Sequence, residues 1–167
     1  ILGCFEEQIY RVDYSLKANE HWATVHLDLK CCHKNEEIRI VLDGDGQGNW
    51  LYNGIEAPQL QGCREVDIPL TPLTNTLPIN RLRLRQDQEE QIQVIYCDVL
   101  ERHVKTVQQK YTRLSQTAYH YQNVPNDFEA TIEVDNAGFV VNYPSLFRRK
   151  AAEGTNYTQL FNDFNTP

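Results

Sequence analysis

The sequence predicts a mainly all-β protein, a strongly curved antiparallel sheet forming a half-open barrel or β-roll, with a little helix near the C-terminus. Two observations lead there. Apolar residues recur with period two through most of the chain, as in strands with one buried face. Turn signals interrupt these runs at regular spacing: Asp43-Gly44-Asp45-Gly46, Asn53-Gly54, Gln61-Gly62 and the stretch from Asn123 to Asp127. Roughly ten short strands follow, and a sheet of that many strands curls to manage its edges. The 167 residues hold no linker, repeat or low-complexity segment, so one domain over 1–167 is expected.

Taken in order, Gln8, Tyr10, Val12, Tyr14 and Leu16 alternate with Ile9, Arg11, Asp13, Ser15 and Lys17, giving an aromatic face and a charged one. Ala23, Val25, Leu27 and Leu29 oppose Trp22, Thr24, His26, Asp28 and Lys30 in the same way. Ile38, Ile40 and Leu42 mark a third strand, and Val66, Ile68 and Leu70 a fourth, opposite Glu65, Asp67 and Pro69. QIQVIYCDVL is apolar on both faces in its middle, which suits a central strand. DFEATIEVD and GFVVNY make a hairpin through Asp135-Asn136-Ala137-Gly138. Helical spacing is confined to the tail, about Tyr143 to Phe164, through Leu146, Phe147, Ala151, Leu160 and Phe161, broken at Gly154.

A net charge of −7 and a pI of about 5.2 argue against nucleic acid as a partner. No apolar run approaches the roughly 18 residues of a membrane-spanning helix. The N-terminal ILGCFEEQIY has neither a charged leader nor a small-residue cleavage site, so a cytoplasmic protein is expected. Five cysteines (Cys4, Cys31, Cys32, Cys63 and Cys97) include no CxxC pair, and the histidines do not fall at zinc spacing. Reduced thiols and no metal or other cofactor are the expectation. Cys31 and Cys32, adjacent on a strand, would point to opposite faces.

Several stretches resemble sites and fail on detail. DGDGQGNW begins like a calcium loop, but Gly54 stands where a bidentate Glu is needed, so an acidic hairpin turn is the reading. Ser15, Ser115 and Ser145 sit in no G-x-S-x-G context. Carboxylate pairs drawn from Glu65, Asp67, Glu133 and Asp135 are what alternating solvated strand faces produce by default.

The stretch LTPLTNTLPINRLRLR, Leu70 to Arg85, is the most distinctive. Pro72 and Pro78 argue for an ordered loop through Pro78, its backbone bonded by Thr74, Asn75 and Thr76. A strand would follow, with Arg81, Arg83 and Arg85 opposite Leu82 and Leu84. On one reading the arginines pair with Glu65 and Asp67 across strands, contributing roughly 0.2–1 kcal/mol each. On the other they line a concavity and grip an anionic or polyhydroxylated headgroup.

Five segments in order, LDGDGQGNW, PQLQGCREVDIPLTPLTNTLPINRLRL, QQKYTRL, YHY and DFEATIEVDNAGFVVNYPSLFRR, together resemble the bacterial "putative glycolipid-binding" family, long carried as a domain of unknown function. The resemblance runs from Leu42 to Arg149, and TNTLPI-x-RL is its most specific piece. It implies a half-barrel similar to bacterial lipoprotein carriers and a ligand that is a glycolipid, fatty acid or other amphiphile, bound without catalysis. The headgroup end of such a site is expected at Trp50, Asp67, Thr74, Asn75, Arg81, Arg83, Tyr111, Tyr121 and Tyr143. Two alternatives stand beside it. One is a protein-interaction module with an apolar patch on Tyr157, Leu160, Phe161 and Phe164, its TNTLPI-x-RL motif purely structural. The other is a hydrolase acting on a glycoside or ester.

Overall fold

The structure is a computed structural model that describes residues 1–152. Its first half is an antiparallel meander: β1 (Leu2–Phe5), β2 (Gln8–Ala18), β3 (Thr24–His33), β4 (Glu36–Gly44), β5 (Trp50–Tyr52) and β6 (Ile55–Glu56), each paired with the next. After a single 3-10 turn at Pro58–Leu60 come β7 (Val66–Asp67) and the helix α1 (Leu73–Leu82). The second half is β8 (Glu89–Asp98), β9 (His103–Arg113), β10 (Ala118–Val124), β11 (Glu129–Val134), β12 (Val140–Tyr143) and β13 (Phe147–Arg148), again each beside the next.

One pair departs from the antiparallel expectation. β7 runs parallel to β8, with Val66 opposite Ile95 and Asp67 opposite Tyr96. Parallel neighbours cannot be joined by a tight turn and need a crossover. α1 is that crossover, so the helix follows from the topology. It touches β7 at one edge of the second sheet and β12 near the other. A sheet that meets one helix from both edges is wrapped around it, and α1 therefore occupies the hollow of the half-barrel.

Residues 64–66 join the halves. Thr24 N–H donates to the Arg64 carbonyl at 2.8 Å, and Ile95 N–H donates to the Glu65 carbonyl at 2.9 Å. Two cores lie on either side of this seam. Val12, Leu27, Leu29, Ile40, Leu42 and Trp50 pack with Leu60, Ile68, Ile95 and Cys97. Ile79 and Leu84 pack on Val94, Tyr111, Tyr121, Ile132 and Tyr143. β8 serves both, with Val94 and Ile95 buried on opposite faces, as its continuous apolar run requires.

The stretch from Leu70 to Arg85 corrects the sequence reading. It is neither loop nor strand: Leu73–Leu82 is helical with Pro78 inside, and Arg83 ends the helix in left-handed backbone at φ +47°. Thr74 to Ile79 are all buried, a run of six that leaves the middle of the helix without an exposed polar face. The strand expected over REVDIPL is only two residues long. In the tail, Val140–Tyr143 and Phe147–Arg148 are strands, and the expected helix beyond Ala152 lies outside the described residues. DGDGQGNW is the acidic turn anticipated: Asp45 Oδ1 accepts from Gln47 N–H and Asn49 N–H, and its pKa is lowered to about 2 by the Asn49 amide and these bonds. Cys31 is buried and Cys32 exposed, and all five thiols are free.

Candidate functional site

α1 starts where Pro72 presets its backbone and Thr71 Oγ1 accepts from Leu73 N–H at 3.2 Å. That places Thr74 and Asn75 in the first turn, over β7 and β9. The Thr74 hydroxyl donates to Asp67 Oδ1 at 3.0 Å and accepts from Ile68 N–H at 3.3 Å. Gln109 Nε2 donates to Asp67 Oδ2 at 2.7 Å, and Gln109 Oε1 accepts from the Tyr111 hydroxyl at 3.3 Å. Asn75 Nδ2 donates to that same hydroxyl at 3.0 Å. Since Thr74 and Asn75 are neighbours, the bonds close a ring: Asp67, Gln109, Tyr111, Asn75, Thr74.

The ring holds a carboxylate and no cation. Burial raises the Asp67 pKa, opposed by the bonds from Thr74 and Gln109. Its charge in turn raises the neighbouring phenols. Tyr96 is pushed up to about 12, and Tyr111, Tyr121 and Tyr143 also lie above their ordinary value, in each case by burial first. From the ring an aromatic ladder crosses the sheet. Tyr111 meets Tyr121 edge-on at 5.3 Å, Tyr121 meets Tyr143 at 6.1 Å, and Tyr143 meets Phe147 at 6.2 Å.

The ladder ends at a groove of about 450 Å³ between the first turn of α1 and β12–β13. Leu73, Val140, Val141 and Phe147 give it apolar walls, and Thr76 lies within its lining. Thr76 is 1% exposed, and its hydroxyl has no hydrogen-bond partner among the described residues. A buried hydroxyl without a partner costs about 1–3 kcal/mol.

Six of the nine residues singled out from sequence are therefore brought together: Asp67, Thr74, Asn75, Tyr111, Tyr121 and Tyr143. The other three are not. Trp50 belongs to the first core, where its Nε1–H donates to the Cys63 carbonyl at 2.9 Å. Arg81 is ion-paired with Glu65, not Asp67. Arg83 is exposed at the far end of α1. Sequence reasoning missed Gln109, although its spacing from Tyr111 places both on one face of β9. The apolar patch expected on Tyr157, Leu160, Phe161 and Phe164 lies outside the described residues. Among the described residues no group of three His, Cys, Asp or Glu is placed to hold a metal, and no helix is long and apolar enough to cross a membrane.

A half-barrel wrapped around its own helix, with a carboxylate-centred ring at one end of that helix, defines an antiparallel β-protein of the kind the motifs indicated. The chain belongs to the family described as "putative glycolipid-binding", whose sequence profile matches residues 3–149. The match takes in the N-terminal strands, beyond the Leu42 to Arg149 span that the motifs covered. The chain is also similar to the crystal structure of a DUF1089 family protein from Pseudomonas aeruginosa, at 32% identity and a TM-score of 0.83 over 86% of this chain and 79% of that one. No curated protein matches the chain.

Proposed function

We propose that the protein binds an amphiphile, a glycolipid or related molecule, non-catalytically, with its apolar part in the groove between α1 and β12–β13. The observation that carries this reading is the groove itself, mainly apolar in its walls, with the buried Thr76 in its lining and Arg148 and Arg149 at its side. The family's description supports the ligand class. The Asp67 ring fixes the first turn of α1 against β7 and β9, and the tyrosine ladder braces the opposite wall through Phe147. Trp50, Arg81 and Arg83 have no part in it.

The energetics fit an acyl chain. Each buried methylene contributes about 0.8 kcal/mol gross, so ten would give around 8 before ordering costs. Filling the groove should remove this. Val141 is half-buried in the wall, so Val141→Trp occupies the space without entering the core. The expected result is at least a tenfold loss of affinity for a fluorescent fatty-acid probe, with Tm nearly unchanged. Native mass spectrometry with organic extraction should find a retained amphiphile in the parent protein and less in the variant. Unchanged probe binding in Val141→Trp would move the ligand out of this groove, and no binding by the parent protein would end the reading.

A further inference from the structure

At the other end of α1 lies a second, polar cavity of about 250 Å³ that the amphiphile reading does not use. The last turn of the helix, the ends of β9 and β11, and the turn between β2 and β3 enclose it. Two of its lining residues have left-handed backbone, Trp22 at φ +65° and Arg83 at φ +47°. Bulky residues adopt that conformation at a cost, and a helix end of this kind ordinarily carries glycine. Eight other non-glycine residues among those described share this backbone, so what distinguishes the cavity is that an indole and a guanidinium so held line it together.

Both are held in place. Asn19 Oδ1 accepts from His21 N–H and Ala23 N–H, each at 3.0 Å, and Trp22 N–H donates to the Asn19 carbonyl at 2.9 Å. Beside Arg83, Arg113 is oriented by bonds from Nε to the Ser115 carbonyl at 2.9 Å and from Nη1 to the Leu84 carbonyl at 2.8 Å, and it lies over the Tyr119 ring at 5.9 Å. Neither arginine has a carboxylate partner among the described residues. The acid in the lining, Asp135, is already engaged by Arg149 at 2.7 Å and by the N–H groups of Ala137 and Phe139. In a chain of net charge −7, this cavity holds two uncompensated guanidiniums.

We propose that the cavity binds a single sugar ring bearing an oxyanion, a uronate carboxylate or a sugar phosphate. The ring lies against the Trp22 indole, and the oxyanion sits between Arg83 and Arg113. A guanidinium fork matches either oxyanion with paired N–H donors. The volume is below the roughly 300–1,000 Å³ of sites for drug-sized ligands, which suits one ring. This proposal does not rest on the amphiphile reading, because its probes carry no acyl chain.

The test is titration calorimetry of the full chain at low salt with glucuronate, glucose 1-phosphate, glucose and inorganic phosphate. Saturable binding of either anionic sugar, at least tenfold tighter than glucose or phosphate, is expected. Arg83→Gly and Trp22→Gly relieve the left-handed backbone, so each should keep or raise Tm while weakening that binding at least tenfold. Val141→Trp should leave it unaltered. Equal binding of glucose would remove the oxyanion from the proposal, and equal binding of inorganic phosphate would remove the sugar. No binding, or binding indifferent to Arg83→Gly, would overturn it entirely.

Discussion

Arg81→Ala is expected to cost about 3–5 kcal/mol of folding stability at pH 7, the penalty for stranding a buried charge. Its partner, Glu65, has a side chain 1% exposed, while that of Arg81 is 18% exposed. Arg81 Nε–H donates to Glu65 Oε1, and Glu65 Oε2 has no hydrogen-bond partner among the described residues. Burial raises the Glu65 pKa and the Arg81 guanidinium opposes the rise, so removing the arginine takes away the charge that offsets burial. A carboxyl whose folded pKa is raised loses stability as pH climbs through that value, and loses none below its unfolded pKa of about 4. The Arg81→Ala penalty should therefore be small below about pH 4 and grow as pH rises towards 7. Urea denaturation at the two pH values measures it. Replacing both partners by leucine should recover most of the loss, since a buried ion pair and an apolar pair of similar volume are nearly equivalent. A pH-independent loss under about 1 kcal/mol would reduce the pair to an ordinary surface bridge.

The same residues show why this fold was only partly legible. β2, β3, β4, β8 and β11 each keep apolar residues two apart, and the structure places them as strands. β9 is harder to read, because Lys105, Gln108 and Lys110 occupy positions where the alternation carries no apolar signal. α1 was invisible for a different reason. Thr, Asn and Pro have low helix propensity, and six consecutive buried residues, Thr74 to Ile79, leave no periodic face to detect. Tertiary packing and the parallel β7–β8 crossover hold it, and neither is a local property. The Leu82-Arg83-Leu84 alternation imitates a strand although Leu82 ends the helix and Leu84 follows the left-handed turn at Arg83.

The site divides along the same line. Asp67, Thr74, Asn75 and Tyr111 belong to segments whose resemblance to a family was readable, and they do share one ring. Trp50 and Arg83 came from the same segments, yet no spacing in the sequence states how far apart the ends of a curved sheet lie. Trp22 gave no sign of its left-handed backbone, since nothing marks φ at a tryptophan.

Asp67→Asn is expected to act in the opposite direction to Arg81→Ala and stabilise the protein. Three features lead to this. The Asp67 ring contains no cation, burial is the largest influence on its pKa, and the net direction is upward. Ionising Asp67 therefore costs more in the folded chain than in the unfolded one. The resulting loss begins near the unfolded pKa of about 4 and grows as pH rises through the folded value. An amide removes the charge and keeps the bonds. The oxygen of the substituted side chain still accepts from Gln109, and its new NH₂ group can donate to Thr74 Oγ1, whose proton turns to the Thr71 carbonyl at 3.3 Å. At pH 7 the gain should be about 1 kcal/mol, or about 2–4 °C in Tm for a chain of this size. It should vanish below about pH 4. A loss of stability at pH 7 would show that the ring's donors need a full negative charge to hold α1. Where the gain appears, the fatty-acid probe decides what the carboxylate is for. Weakened probe binding in the more stable variant would mean that the chain retains Asp67 for its ligand at the expense of stability. Unchanged binding would leave Asp67 to set the register of α1 against the sheet.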